Sequence, residues 1–323
     1  MSIITDVIRP FSLVSLSTVK EAPSFPLSEW LEIQDYQIYN TIKNNKFTLN
    51  ISNENSFLRS LLFDLDRMAI AAFESMHCIN QDVCLTKSRA WLVVKAYYSA
   101  YFAAHAILRL LGQSCSWLYP AQTRKIEQVN ALFHVNNVKL SQGYYHFKYY
   151  VNSKEIECKS MSSAKGGSHE LFWKVFLKQL QELSSRILGS LLFPQDITQA
   201  IFSKLSDLNN VLCHEGQRGG SWLSSIRNQV NYRHQHHVWF PYRHIRKQDV
   251  VSLYNKRRLW CEDPMKISLI IKAGSKIDLF YNACHFLVGM CRVILEDLCS
   301  RSSSGWLKMG SIRLLKTLNC YAL

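Results

Sequence analysis

WLVVKAYYSAYFAAHAILRLLG, Trp91–Gly112, is the stretch that decides the fold class. Its residues Trp91, Val94, Tyr98, Tyr101, His105, Leu108 and Leu111 advance by three or four positions, the period of a helix with a buried face. Ala90, Ala96, Ala100, Ala103, Ala104 and Ala106 add helix propensity and allow close approach of other helices. Gly112 supplies a stop. Lys95, His105 and Arg109 would be expensive inside a bilayer, so the segment reads as a core helix from roughly 85 to 111, not a membrane span. His105, on the apolar stripe, reads as a core or subunit-interface histidine.

The flanking sequence adds further helices and a little strand. Pro10, Pro23 and Pro26 make residues 1–26 an expected arm, and MSIITDVIRPFSLVSLS, with Asp6 and Arg9 and no basic leader, is a poor signal peptide. A short helix is expected from Ser28 to Ile42, a small strand at Lys46 to Ser52, and a helix capped by Asn55 or Ser56 running to about Ile79. From Cys115 to Gly167 the pattern loosens. Ala121 to Phe133 reads as a helix, Gly143 to Val151 as β-prone, and Ser160 to Gly167 as an exposed loop. Ser168 is expected to cap a helix to about Leu192, and another covers Ile197 to Leu212. Gly216, Gly219 and Gly220 read as a turn. Ser221 then caps a helix carrying Trp222, Ile226, Val230 and Trp239 before Pro241 ends it. Met265 to Gly274 looks strand-like, and a last strong helix spans Lys276 to about Leu298.

Composition narrows the function classes. Hydrophobic residues at 48%, with 12 Gly and 7 Pro, exclude a disordered or collagen-like chain. Lys and Arg number 38 against 24 acids, a net +14 that favours a polyanionic partner: nucleic acid, an acidic protein or an anionic membrane. The ten cysteines contain no C-x-x-C, and His77, Cys78 and Cys84 fit no common zinc spacing. They read as reduced core residues of a cytoplasmic chain. No carboxylate cluster suited to paired magnesium ions stands out, so neither metal nor cofactor is expected.

SSIRNQVNYRHQHHVWFPYRHIRK, Ser224–Lys247, concentrates the charge. From Arg227 to Arg258 there are eight Arg or Lys, four His and one acid, Asp249. Arg227 and His234 lie seven apart, and two helical turns return them to nearly one angular position, with Asn231 between them and Asn228 at the edge. One helix face would then carry a guanidinium that grips phosphate oxygens and an imidazole that moves protons near neutrality. Such a pair suits metal-independent RNA cleavage by the substrate's own 2′-hydroxyl. Asn231, Tyr232, Arg233, His237, Arg243, Arg246 and Lys247 are the expected substrate contacts. His236 and His237 project away from the Arg227 face. A basic helix that only binds a phosphate backbone fits the same residues.

RNQVNYRH, Arg227 to His234, resembles the signature of the HEPN superfamily, in which an Arg, usually followed by a polar residue, precedes a His by four to six intervening positions. AYYSAYFAAHAILRLLG, Ala96 to Gly112, is similar to the earlier helix of that fold. The resemblance implies a mainly α, antiparallel helical bundle with small β or irregular insertions, dimerisation, and metal-independent endoribonuclease activity in toxin–antitoxin or phage-defence systems. It marks Arg227 and His234 as the catalytic pair, supported by Asn228. The expected organisation is the 1–26 arm, a HEPN-like domain over 27–260 interrupted at about 115–167, and a C-terminal helical extension, 261–323, packed on the bundle. Expected partners are RNA, a second copy of the chain and an antitoxin or other defence-system protein, with no membrane. The alternative is a noncatalytic nucleic-acid-binding or protein-interaction subunit of a defence complex.

Overall fold

The computed structural model describes residues 2–22, 24–82, 89–134, 138–161, 167–239, 256–270, 276–302, 305 and 308–320. Among these the chain is mainly helical, with one small antiparallel sheet. The Trp91–Gly112 pattern becomes α4, Ala90–Leu110, after α1 (Ile3–Ile8), α2 (Leu27–Ile33) and α3 (Glu54–Asp82). α3 begins where the Asn53 side chain accepts the Ser56 N–H, so the cap lies just before the expected Asn55 or Ser56. α4 packs antiparallel on α3. Ser99 donates to the Ala72 carbonyl at one level, and Arg109 meets Asp64 at 3.7 Å two to three turns along. Arg109 is 1% exposed, and its charge is balanced inside the core by that carboxylate. His105 is buried and stacked on Phe172, as a core histidine.

Four further helices complete the frame: α6 (Ser168–Leu188), α7 (Gln195–Leu212), α8 (Trp222–Arg233) and α9 (Lys276–Arg301), following α5 (Pro120–Phe133). α6 runs alongside α4 in the same direction, with His169 beside Tyr97, Phe172 beside Tyr101 and His105, and Gln179 bonded to Gln113. α8 runs the opposite way, because Arg227 lies over Tyr97 while Trp239, beyond its end, meets Trp91. Gly220 fixes the approach of α8 to α6. Its φ is +76°, and a Cβ there would stand 2.9 Å from that of Leu177. The glycine-rich turn before α8 is thus a packing device as well as a turn.

Several expectations change. Residues 2–22 are not an arm: Ile4, Val7, Ile8 and Leu16 are buried, and α1 packs on α7 and α9. α9, in the C-terminal segment expected to pack on the bundle, lies against α4 and is buried along most of its length. Among the described residues α9 is the helix long and apolar enough to cross a membrane, and 83% of its apolar window is buried inside the fold. The segment expected as an insertion supplies β3 (Gln113–Leu118), β4 (Gly143–Tyr150) and β5 (Glu155–Ser160). These join β1 (Tyr36–Gln37) and β2 (Lys46–Ile51) in the order β1-β2-β5-β4-β3. Leu49 opposite Ile156 and Phe47 opposite Cys158 set the β2–β5 register, so N-terminal chain and expected insertion share one sheet. Gly167, not Ser168, stands at the α6 N-cap. The described part of the strand-like Met265 to Gly274, residues 265–270, holds the end of a 3-10 turn and no strand.

Cysteine chemistry also departs from the all-reduced expectation. Cys261 and Cys320 form a disulfide across a sequence separation of 59, while Cys115, Cys158, Cys284, Cys291 and Cys299 are free and buried. The bond ties α10 (Ser311–Thr317) and the residues after it to the turn against α9. Closing a loop of that size restricts the unfolded chain by about 2–4 kcal/mol. Cys320→Ser should lower the urea-unfolding free energy by about that amount relative to the oxidised protein. Equal unfolding curves for the oxidised protein and the variant would refute the staple.

Candidate functional site

A polar recess of about 280 Å³ opens where the first turn of α6 faces the middle of α8. Arg227, Asn228 and Arg233 line it from α8, His169 and Glu170 from α6, and Ser224, Ser225 and Gln217 complete it. Arg227 is 7% exposed, and its guanidinium lies 5.0 Å from the Tyr97 ring centroid and 5.6 Å from that of Tyr98. Ile226 and Val230 bury the neighbouring face of α8, which forces Arg227 toward this recess. No ion pair forms between Arg227 and a described carboxylate, and its Nε is buried without a hydrogen-bond partner. Cation–π contacts offset part of the cost of that burial, on the order of 2 kcal/mol when desolvated. A buried cation left so incompletely neutralised is suited to an incoming anion.

His169 stands at the other wall. Its Nδ1 is 2.8 Å from the Tyr97 hydroxyl, which also accepts the indole N–H of Trp173 at 3.1 Å. Where the Tyr97 O–H donates to Nδ1, Nε2–H is the imidazole's donor toward a ligand; in the other tautomer Nδ1–H donates to the second lone pair of the Tyr97 oxygen and Nε2 faces the ligand as an acceptor. Burial, and then the Arg227 charge, hold the His169 imidazole down at about 4. Tyr97 is raised by burial, so it stays a neutral phenol. At neutral pH the recess therefore presents two guanidinium groups, an uncharged imidazole, hydroxyls and amides. Glu170 is its one acidic lining residue.

The expected Arg227–His234 pair does not share a helix face. α8 stops at Arg233, and His234 takes the left-handed conformation (φ 51°) as its C-cap. The chain then turns away. His236 and His237 also have positive φ, Gln235 and His236 bond back to Gln229, and the Val238 carbonyl accepts the Arg89 N–H. His234 is exposed and stacks on Trp239 at 5.3 Å, outside the recess. The helical reading through Trp239 is corrected for the same reason. Trp239 folds back, its indole donating to the Val230 carbonyl.

Of the expected substrate contacts, Arg233 lines the recess, whereas Asn231, Tyr232 and His237 do not; Tyr232 is 70% exposed. Arg243, Arg246 and Lys247 lie outside the described residues. Sequence reasoning missed His169 and Tyr97. His169 lies 58 positions before Arg227 with no spacing to connect them, and Tyr97 sits on a stripe that reads as core. Among the described residues no group of three or more His, Cys, Asp or Glu is placed to hold a metal ion. Comparison of the chain with protein-family models, with curated proteins and with solved structures finds no match.

Proposed function

We propose that the protein is a metal-independent endoribonuclease that holds an RNA phosphodiester in the Arg227–His169 recess and promotes its cleavage by the adjacent 2′-hydroxyl. The observation that carries this reading is the buried guanidinium without a carboxylate partner, facing an uncharged imidazole across a polar recess. In the attack, negative charge grows on the non-bridging oxygens as the phosphorus becomes pentacoordinate. Arg227 neutralises that charge from a position already desolvated, where its field is strong. The 2′-oxygen–phosphorus bond forms as the bond from phosphorus to the 5′-oxygen breaks. Solvent takes the 2′-hydroxyl proton and supplies one to the departing 5′-oxygen, while the Nε2–H of the uncharged His169 donates a hydrogen bond to a non-bridging oxygen. Arg233 and Asn228 hold the flanking backbone. The HEPN-type bundle, a homodimer as the working unit, and restraint by an antitoxin or other defence-system partner belong to this reading.

The test is cleavage of single-stranded RNA by the purified protein in excess chelator, with the product ends analysed. The expected product carries a 2′,3′-cyclic phosphate. Arg227→Ala is expected to lose about 100- to 1,000-fold in rate, the usual effect of removing one preorganised stabiliser of transition-state charge. Cleavage by Arg227→Ala at the wild-type rate would overturn the assignment. RNA binding without any cutting by the wild-type chain would favour the noncatalytic alternative.

A further inference from the structure

We propose that a second recess, on the other side of the first turn of α6, receives an unpaired RNA base next to the phosphate held by Arg227, with Trp117 as its stacking platform. The proposal rests on the reading of the first recess as an RNA phosphate site. The second cavity measures about 480 Å³ and is lined by Asn44, Asn45, Trp117, Gln142, Tyr144 and Leu171 among others. Among the described residues none that lines it is charged, in a chain of net charge +14.

The two recesses share the start of α6. Gly167, His169 and Glu170 face the cationic one, Ser168 and Leu171 the neutral one. A single helix turn therefore separates a site built for an anion from one built of amides, hydroxyls and an indole. A nucleotide divides its chemistry in the same way: a charged phosphate and a neutral base with two π faces and a polar edge. The positive end of the α6 dipole adds to the attraction for the phosphate between them.

Trp117 is placed for stacking. It lies on β3, the edge strand of the sheet, paired in register with Tyr144, and it is 46% exposed. Tyr119 follows at 59% exposure, its ring centroid 6.5 Å from that of Trp117, which extends the aromatic surface along the edge. The polar edge of a base would meet the amides opposite. Asn44 and Asn45, both with positive φ, form the two-residue turn bridged by Lys43 and Lys46, and this places the exposed Asn44 amide at the rim. Asn45 is held there by accepting the Ser141 N–H at 3.1 Å. Gln142, also exposed, adds a second free-standing amide. A base paired in a duplex cannot turn its face onto Trp117, so the ligand is single-stranded.

The test uses 2′-O-methyl RNA, which has no attacking hydroxyl, so that binding is read without cleavage. A labelled single-stranded oligomer, an abasic oligomer of equal length and a duplex are titrated against wild type, Trp117→Ala, Trp117→Phe and Arg227→Ala. Trp117→Ala is expected to weaken the single strand about tenfold and to leave the abasic strand unchanged, with Trp117→Phe close to wild type. Arg227→Ala should weaken both strands. Equal single-strand affinity in wild type and Trp117→Ala would overturn the base subsite while the Arg227 result still stands for the phosphate site. Failure of wild type to hold any of the three oligomers would overturn both. Trp117 is exposed on an edge strand, so its loss is not expected to unfold the chain, and an unchanged melting temperature confirms that each comparison is of folded protein.

Discussion

Alanine at His169 is expected to slow chelator-resistant RNA cleavage by about 100-fold or more, while alanine at His234 leaves it within about threefold. The contrast follows from where each imidazole sits. His169 shares its recess with Arg227 and is held by the Tyr97 hydroxyl, whereas His234 caps α8 in the left-handed region and stacks on Trp239. Because the phosphate grip is assigned to Arg227 and Arg233, the His169→Ala defect should fall mainly on kcat, with KM changed little. His169→Gln, which keeps an N–H donor but cannot carry a proton, should recover part of the rate if the group acts as a donor to the phosphate. No recovery in His169→Gln would overturn that hydrogen-bonding role. The reverse outcome, a silent His169→Ala and an inactive His234→Ala, would return the imidazole role to His234 and require residues 234–239 to rearrange around the substrate.

The sequence and the structure agree where a single element carries the information. The α4 stripe, the helix before it and the β-prone Gly143 to Val151 each declare themselves through their own periodicity, and each forms as expected. Arg227, Asn228 and Arg233 are legible for the same reason, lying within one helix. What depends on distant segments is not legible. The pairing of β2 with β5 joins residues more than a hundred positions apart, and neither strand's alternation names its partner. The buried N-terminus is hidden because three prolines punctuate it, although Ile4, Val7 and Ile8 already have the spacing of a packed turn. His234 misleads through spacing alone. Seven positions are two turns only if the helix continues, and no glycine marks the place where the chain leaves it. His169, the imidazole that does meet Arg227, arrives from another helix, and only the packing of α6 and α8 against α4 brings the two together.

Acidification is expected to begin destabilising the protein below about pH 6.5, before its carboxylates titrate, and buried histidines are the cause. His285 is 1% exposed, neither ring nitrogen has a hydrogen-bond partner among the described residues, and burial, then Lys256, pushes its pKa down to about 3. Burial and Lys148 hold His146 at about 4, and burial, then the neighbouring Arg109, drives His105 well below its ordinary value. With His169, four imidazoles stay neutral in the folded chain yet bind a proton near pH 6.5 once it unfolds. Their folded pKa values are depressed, so unfolding takes up protons below about 6.5. The stability present above that pH is therefore lost progressively as the pH falls toward 4. For His285 the loss at pH 5 is about 2 kcal/mol, from a difference of roughly 1.5 units between that pH and the unfolded value. Urea titrations at pH 7.5, 6 and 5 should show an unfolding free energy that falls steeply over this range. In His285→Leu the imidazole is replaced by a hydrocarbon in a site that offers it no hydrogen bond. That variant should unfold with one proton fewer taken up and surpass wild type at pH 5 by about the same 2 kcal/mol. A free energy flat between pH 7.5 and 5, or a His285→Leu curve with the wild-type slope, would mean that His285 is protonated in the folded chain and holds a partner there.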